Sequence, residues 1–150
     1  WRRPAPNTIP WDTKAAGLYM ICTLSKHEAE KQGYTDSLML DHEGYIAEAT
    51  GANIFFKDKD GTLHTPIPDS FLDGITRRTV IEIANSMNIK VNERKIKPDE
   101  LKNFVGCFLT GTAAEVTPVS QIDKFNYKVC NTIIQLSESY QQTVRKKKAA

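Results

Sequence analysis

Cysteine and histidine are scarce in this sequence, with three of each among 150 residues. The cysteines Cys22, Cys107 and Cys130 are far apart and form no CxxC pair. This pattern excludes a disulfide framework and favours free thiols in a reducing compartment, so we expect a cytoplasmic protein. The histidines have neither HxxxH spacing nor a neighbouring cysteine pair, which predicts that the chain holds no metal ion.

Long apolar runs are also missing. No segment approaches the roughly 18 uninterrupted apolar residues of a membrane-spanning helix, and no signal peptide is visible. The formal net charge is only +2, and the one dense basic run, at residues 145–148, lies at the C-terminal end, where a solvated tail is expected. We therefore expect no membrane partner and no nucleic-acid partner.

The chain starts at Trp1 inside a Pro-rich stretch rather than at an initiator methionine. Three prolines interrupt any periodic pattern over the first twelve residues. Because proline ends helices and lacks a backbone N–H, residues 1–13 are expected to form an extended segment that enters the domain from an N-terminal portion preceding it.

Helical and extended patterns alternate along the rest of the chain, which predicts one mixed α/β (α+β) domain over residues 1–150. Apolar spacing and helix-ending signals predict helices at about residues 15–32, 75–87, 98–104 and 129–144. Short apolar runs between turn signals predict strands at residues 37–40, 45–49, 53–57, 62–65, 89–96 and 105–109. The first four strands are expected to form an antiparallel meander.

Two Gly-Thr turns are candidate seats for an anion. One, Gly74-Ile75-Thr76, opens a predicted helix, and the other, Thr110-Gly111-Thr112, follows a predicted buried strand. A helix N-terminus offers unpaired N–H groups and the positive end of a dipole, so a phosphate group could sit between the two turns. Taken singly, each turn is better explained by helix capping or a tight turn.

Glu48 is the other candidate from the residues alone. It ends a predicted strand and precedes the small residues Ala49-Thr50-Gly51-Ala52, which a surface loop does not need. This compact setting indicates a buried, paired carboxylate. The alternative is a solvated charge at a sheet edge, which is the commoner situation for glutamate.

Five sequence blocks occur in an order that matches a known enzyme family. Three of them are Glu48-Ala-Thr-Gly-Ala-Asn53-Ile-Phe55, Leu63-His-Thr65 and Leu72-Asp-Gly-Ile-Thr76-Arg77. The other two are Ala5-Pro-Asn-Thr-Ile-Pro10 leading to Lys14, and Thr110-Gly-Thr-Ala-Ala-Glu-Val-Thr-Pro118. Together they resemble the class IV (fold-type IV) aminotransferases, which use pyridoxal 5′-phosphate (PLP), and in particular the branched-chain type. One block could arise by chance, but five in order are specific.

The resemblance implies the larger C-terminal, PLP-binding domain of such an enzyme, with a curved pseudo-barrel sheet flanked by helices. It implies transamination of leucine, isoleucine or valine with 2-oxoglutarate, usually in a homo-oligomer. The family's smaller N-terminal domain, which supplies an arginine to the phosphate, is not in this sequence. We expect that domain to be needed to complete the site, with residues 1–13 as the interdomain segment. The family's usual Gly-Pro turn before the last helix is not found either.

The family's catalytic lysine corresponds to Lys14, whose primary amine binds PLP covalently and then moves a proton on the substrate. Glu48 corresponds to the acidic partner of the pyridine nitrogen, and Tyr19 to a tyrosine that hydrogen-bonds the ring oxygen. Each of these three assignments rests on the resemblance.

The resemblance places the PLP phosphate at Gly74, Ile75 and Thr76, together with Thr112, on the two turns described above. It places Leu72 against the pyridine ring. Backbone N–H groups of Thr112, Ala113 and Ala114 are expected to face the substrate carboxylate. The resemblance assigns no chemistry to Asn53, for which we expect a structural role.

Other functions remain open at this stage. D-amino-acid aminotransferases and aminodeoxychorismate lyases share the same signature, so the substrate depends on the two branched-chain-like blocks. A catalytically inert cofactor-domain fragment is a second possibility, since the N-terminal domain is missing. A plain phosphate- or nucleotide-binding module is a third.

Overall fold

A computed structural model of the chain describes residues 1–145, so most of the expected basic tail, residues 146–148, lies outside the described part. Three α-helices and two 3₁₀ helices are present among these residues. The α-helices are α1 (Met20–Lys31), α2 (Ile75–Ser86) and α3 (Asn131–Arg145), and the 3₁₀ helices are Ala16–Tyr19 and Pro98–Asn103.

Nine strands within the described residues complete the mixed α/β fold that the sequence predicts. They are β1 (Leu38–Leu40), β2 (Ile46–Ala49), β3 (Asn53–Lys57), β4 (Leu63–Thr65), β5 (Val91–Glu93), β6 (Gly106–Gly111), β7 (Glu115–Pro118), β8 (Gln121–Ile122) and β9 (Phe125–Asn126). Five of them form one sheet in the order β5-β4-β3-β6-β7, while β1-β2 and β8-β9 form two separate ribbons.

The core lies on both faces of the five-stranded sheet. Phe55 of β3 and Phe108 of β6 are cross-strand partners whose rings stack 4.9 Å apart, between the sheet and helices α2 and α3. On the opposite face, Phe56 and Cys107 pack with residues that follow β5 and with the Pro98–Asn103 helix. This alternation is what a strand covered on both faces requires, because successive side chains point to opposite sides.

The expected meander of the first four strands is wrong in its pairing. β1 pairs with β2, and β3 pairs with β4, both antiparallel, but β2 does not join β3 in one sheet. β3 pairs instead with β6, which is far from it in the sequence. Local turn signals predict which neighbouring strands are close, but they carry no information on such a distant partner.

The expected strand over residues 89–96 is shorter than predicted, since only Val91–Glu93 pairs, in parallel with β4. The three strands that follow β6 were not predicted. Two of them are only two residues long, which is too short for an alternating pattern to be recognised.

The three cysteines are free, as expected. No helix within residues 1–145 has the length and apolar content to cross a bilayer.

Two adjacent isoleucines of α3 allow a matched test of this core. Ile133 is fully buried, whereas Ile134 is 44% exposed. Ile133→Ala should lower the free energy of unfolding by about 2–5 kcal/mol because it leaves a cavity between α3 and the sheet. Ile134→Ala should change it by less than about 0.5 kcal/mol. Urea unfolding of both variants checks this, and equal losses would show that α3 does not pack as described.

Candidate active site

A cavity of about 470 Å³ opens where the start of β3, the start of α2 and the end of β6 converge. The residues expected to bind the cofactor all line it, although they come from separate parts of the chain. They are Lys14, Tyr19, Glu48, Leu72, Gly74, Ile75, Thr76 and Thr112. Ala113 and Ala114, expected to face the substrate, lie in the β6–β7 turn directly after Thr112 and do not line this cavity.

Lys14 and Tyr19 enter the cavity from the segment before α1. Lys14 is exposed, precedes the Ala16–Tyr19 3₁₀ helix and lines the cavity. Tyr19 is partly buried, and burial, followed by the nearby Glu48 carboxylate, raises the pKa of its phenol. The phenol therefore keeps its proton at neutral pH and can donate a hydrogen bond into the cavity.

Glu48 lies near the end of β2 and is only 8% exposed. Its carboxylate contacts the guanidinium of Arg3, with Nε 3.4 Å from Oε1. Burial raises the pKa of Glu48 to about 8, although Arg3 acts in the opposite direction. The cost of removing a carboxylate from water thus exceeds the attraction of one arginine, and the group holds a proton at neutral pH until another positive charge approaches.

Arg3 is the most important residue that the sequence did not reveal. It is 2% exposed, and its guanidinium also donates to the carbonyl oxygens of Ser70 and Leu18. These contacts tie the Pro-rich segment to the cavity wall. An arginine among prolines carries no local sign of burial, because arginine is usually exposed, so only the tertiary contacts identify it.

The start of α2, one of the two predicted anion-binding turns, has no side-chain cap. Gly74 is the N-cap, and no side chain caps the helix there, which leaves the first-turn N–H groups of Ile75 and Thr76 available. Thr112, from the second Gly-Thr turn, lies at the same cavity. An N-terminal helix end without a side-chain cap favours a negatively charged ligand through both its N–H groups and its dipole.

Thr110 is a further polar residue that lines this cavity. It lies directly across the sheet from Asn53, at the cavity floor, and is 1% exposed. Its hydroxyl has no hydrogen-bond partner within residues 1–145. A buried hydroxyl without a partner carries a free-energy cost, so Thr110 is a polar group that the described residues leave unsatisfied.

The loop before α2 is held by a buried arginine. Arg77 is 1% exposed and donates to the Asp73 carboxylate at 2.8 Å, to Glu93 at 2.5 Å and to the Pro66 carbonyl at 3.1 Å. These bonds join both ends of the 66–74 loop to the helix and to β5. Leu72, expected against the cofactor ring, is therefore presented from an anchored loop.

A second cavity, of about 580 Å³, lies between α1 and the segment from β7 to β8. The ionisable side chains that line it are acidic or phenolic: Glu28, Asp36, Asp123 and Tyr34. Among the described residues that line it there is no lysine or arginine and none of the expected cofactor-binding residues. Its charge is unsuited to a phosphate, so the cavity at α2 is the better candidate.

The chain is similar to known proteins in both sequence and fold. The family model for amino-transferase class IV matches residues 1–122. The chain belongs to the class IV aminotransferase family. A probable branched-chain-amino-acid aminotransferase of Rickettsia bellii is 51% identical over 129 residues, which cover 86% of this chain and 44% of the relative. The chain therefore spans a little under half the length of that relative.

Solved structures of the family show the same fold. The branched-chain aminotransferase of the archaeon Thermoproteus uzoniensis, solved with norvaline, is 37% identical with a TM-score of 0.93. The match covers 99% of this chain and 50% of that one. The enzyme of Thermobaculum terrenum, solved in its PLP form, is 36% identical with a TM-score of 0.91, over 96% of this chain and 48% of that one.

The burial of Glu48 predicts a pH-dependent stability. Its pKa rises from 4.5 when unfolded to about 8 when folded, so between these pH values the folded chain holds a proton that the unfolded chain releases. The free energy of unfolding should therefore fall as pH rises through this window, by an amount on the order of a few kcal/mol. Glu48→Gln, which cannot ionise, should lack this fall.

Urea unfolding between about pH 5 and pH 9 measures how the free energy of unfolding of each protein depends on pH. This range covers most of the interval between the two pKa values of Glu48. Glu82→Gln is the matched control, since Glu82 is an exposed glutamate of α2. Its stability profile should run parallel to that of the unaltered chain. A Glu48→Gln profile that is also parallel would mean that Glu48 is ionised in the folded chain.

Proposed function

We propose that this chain forms the PLP-binding domain of a branched-chain-amino-acid aminotransferase, with residues 1–13 as its interdomain segment. The observation that carries the proposal is the cavity at α2. It brings together an amine, a protonated phenol, a buried acid and an uncapped helix N-terminus. The family membership and the branched-chain enzymes among the relatives support the same function.

The helix N-terminus and Leu72 suit the phosphate and the ring of PLP. When bound, PLP supplies an electron-withdrawing ring that stabilises negative charge on the substrate carbon. The first-turn N–H groups of Ile75 and Thr76, with the hydroxyl of Thr112, would hold the phosphate at the end of α2, where Gly74 leaves them uncapped. Leu72 would pack against the ring from its anchored loop.

Lys14 is the proposed catalytic residue. Its Nζ atom would hold the cofactor covalently and, when released, would accept and return the proton at the substrate carbon. Its exposed position at the cavity suits a group that must meet an incoming amino acid.

Glu48 and Tyr19 would set the charge of the site. Glu48 holds a proton when no further cation is near, since its pKa is about 8, and it would ionise against a protonated ring nitrogen. Tyr19 would donate a hydrogen bond to the ring oxygen, because its raised pKa keeps the phenol protonated. The ring would therefore meet one acidic partner that can ionise and one that stays neutral.

The backbone of Thr112, Ala113 and Ala114 is proposed to receive the substrate carboxylate at the β6–β7 turn. The proposed substrates are leucine, isoleucine and valine, with 2-oxoglutarate as amino acceptor. Since the chain spans less than half of its relative's length, we propose that an N-terminal domain completes the site in a cytoplasmic homo-oligomer.

Lys14→Ala should abolish covalent PLP attachment. The unaltered chain, mixed with PLP and reduced with borohydride, should yield one modified peptide containing Lys14, and the variant should yield none. Lys26→Ala is the control, because Lys26 is an exposed lysine of α1 outside the cavity. Peptide mass mapping gives the readout. Modification spread over surface lysines in all three proteins would refute the proposed site.

Substrate preference is tested with the PLP-loaded chain joined to the proposed N-terminal domain, since that domain is proposed to complete the site. Incubation with L-leucine, L-isoleucine or L-valine and 2-oxoglutarate should produce the corresponding 2-oxo acids and glutamate. D-alanine and aminodeoxychorismate should give much slower turnover, on the order of a hundredfold or more, because the wrong substrate leaves polar groups of the site unpaired. Faster turnover of D-alanine would favour a D-amino-acid aminotransferase. Attachment at Lys14 without turnover of any substrate would favour an inert fragment.

A further inference from the structure

Asn53 occupies a central position that its family resemblance leaves without a role. It is the first residue of β3 and is 5% exposed. Its side chain lies between the Glu48 carboxylate and the start of α2, which are the two ends of the proposed site. Within residues 1–145, it is the side chain that hydrogen-bonds to both ends.

The Asn53 amide uses its donor and its acceptor at the same time. Nδ2 donates to the Leu72 carbonyl at 3.0 Å and to Oε2 of Glu48 at 3.4 Å. Oδ1 accepts a hydrogen bond from the backbone N–H of Gly74 at 3.2 Å. A flipped amide would place donor against donor and acceptor against acceptor, so its orientation is fixed by these partners.

Gly74 is adapted to this contact. Its φ of −63° and ψ of 140° are allowed for any residue, so its backbone conformation does not require glycine. A Cβ at this position would instead clash with Oδ1 of Asn53. Any larger residue here would displace the Asn53 amide from its present contacts.

We propose that Asn53 is a positioning residue, an inference that rests on the proposed function. It fixes the separation between the Glu48 carboxylate and the start of α2, where the anion would bind. A ligand that must reach both groups, through a ring nitrogen and a phosphate, then meets two partners already at the right spacing. Asn53 itself touches neither reacting atom and acts through Glu48 and Gly74.

Asn53→Asp is the sharpest test because it preserves the side-chain shape and the acceptor for Gly74. It removes the donor to Leu72 and Glu48 and places a carboxylate beside the Glu48 carboxylate. The PLP dissociation constant, from an absorbance titration, should rise about 10- to 100-fold. The pH at which binding strengthens as Glu48 ionises should move upwards, since a like charge disfavours ionisation.

The pH profile separates positioning from general damage. Arg3, Tyr19 and Cys22 also face Glu48, but they are unchanged in the variant, as are the ligand phosphate and Lys14. The difference between the two profiles therefore reports the new carboxylate at position 53, through its own titration and its effect on Glu48. A loss of PLP affinity that is equal at every pH would overturn the proposal.

A double-mutant cycle tests the second contact, between Asn53 and Gly74, and it also tests the proposal if Asn53→Asp does not fold. The cycle compares Asn53→Ala, Gly74→Ala and the double variant. Gly74→Ala alone should weaken PLP binding about 10-fold or more because its methyl group displaces the amide. In the Asn53→Ala background the methyl group meets no oxygen, so it should add less than about a twofold loss. Losses that multiply across the cycle would overturn the proposal.

The unaltered chain distinguishes failure of this inference from failure of the proposed function. If it does not bind PLP, the proposed function fails and the role of Asn53 fails with it. If it binds PLP and the Asn53→Asp profile coincides with its own, only the role of Asn53 is overturned.

Discussion

The antiparallel pairing of β3 with β6 determines where each part of the candidate site lies. Its register stacks Phe55 on Phe108 in the core and, two residues further along, sets Asn53 opposite Thr110 at the cavity floor. Because side chains alternate along a strand, both pairs face the same helices. The apolar pair secures the sheet under α2 and α3, and the polar pair meets the start of α2. A one-residue slip of this register would move both pairs to the other face.

Around this sheet, irregular segments are held by buried arginines rather than by ladders of backbone hydrogen bonds. Arg3 joins the Pro-rich segment to the carbonyls of Ser70 and Leu18 and to Glu48. Arg77 joins the loop before α2 to Pro66, Asp73 and Glu93. A guanidinium presents several donors in a rigid plane, so one side chain can fix several carbonyls and carboxylates at once. The loops that carry Lys14 and Leu72 gain a defined position in this way.

Arg3 does not fully offset the effect of burial on the Glu48 carboxyl. Burial raises the pKa of Glu48 to about 8 although Arg3 lies 3.4 Å away. A single cation does not compensate for the loss of hydration, and a second cation nearby would lower the pKa of this carboxyl. The acid is therefore poised to ionise when a cationic group enters the cavity, and this property suits the proposed partner of a pyridine nitrogen.

The sequence by itself determined the mixed α/β class, the family, the span of α2 and β3, and the candidate residues of the two Gly-Thr turns and Glu48. These features are local, since caps, apolar periodicity and ordered motifs are readable within short windows. Only the tertiary structure decided that β3 pairs with β6 and not with β2, that Arg3 is buried against Glu48, and why residue 74 is a glycine. Each of these depends on residues that are distant in sequence. Their contacts depend on how the whole chain packs, which no local pattern specifies.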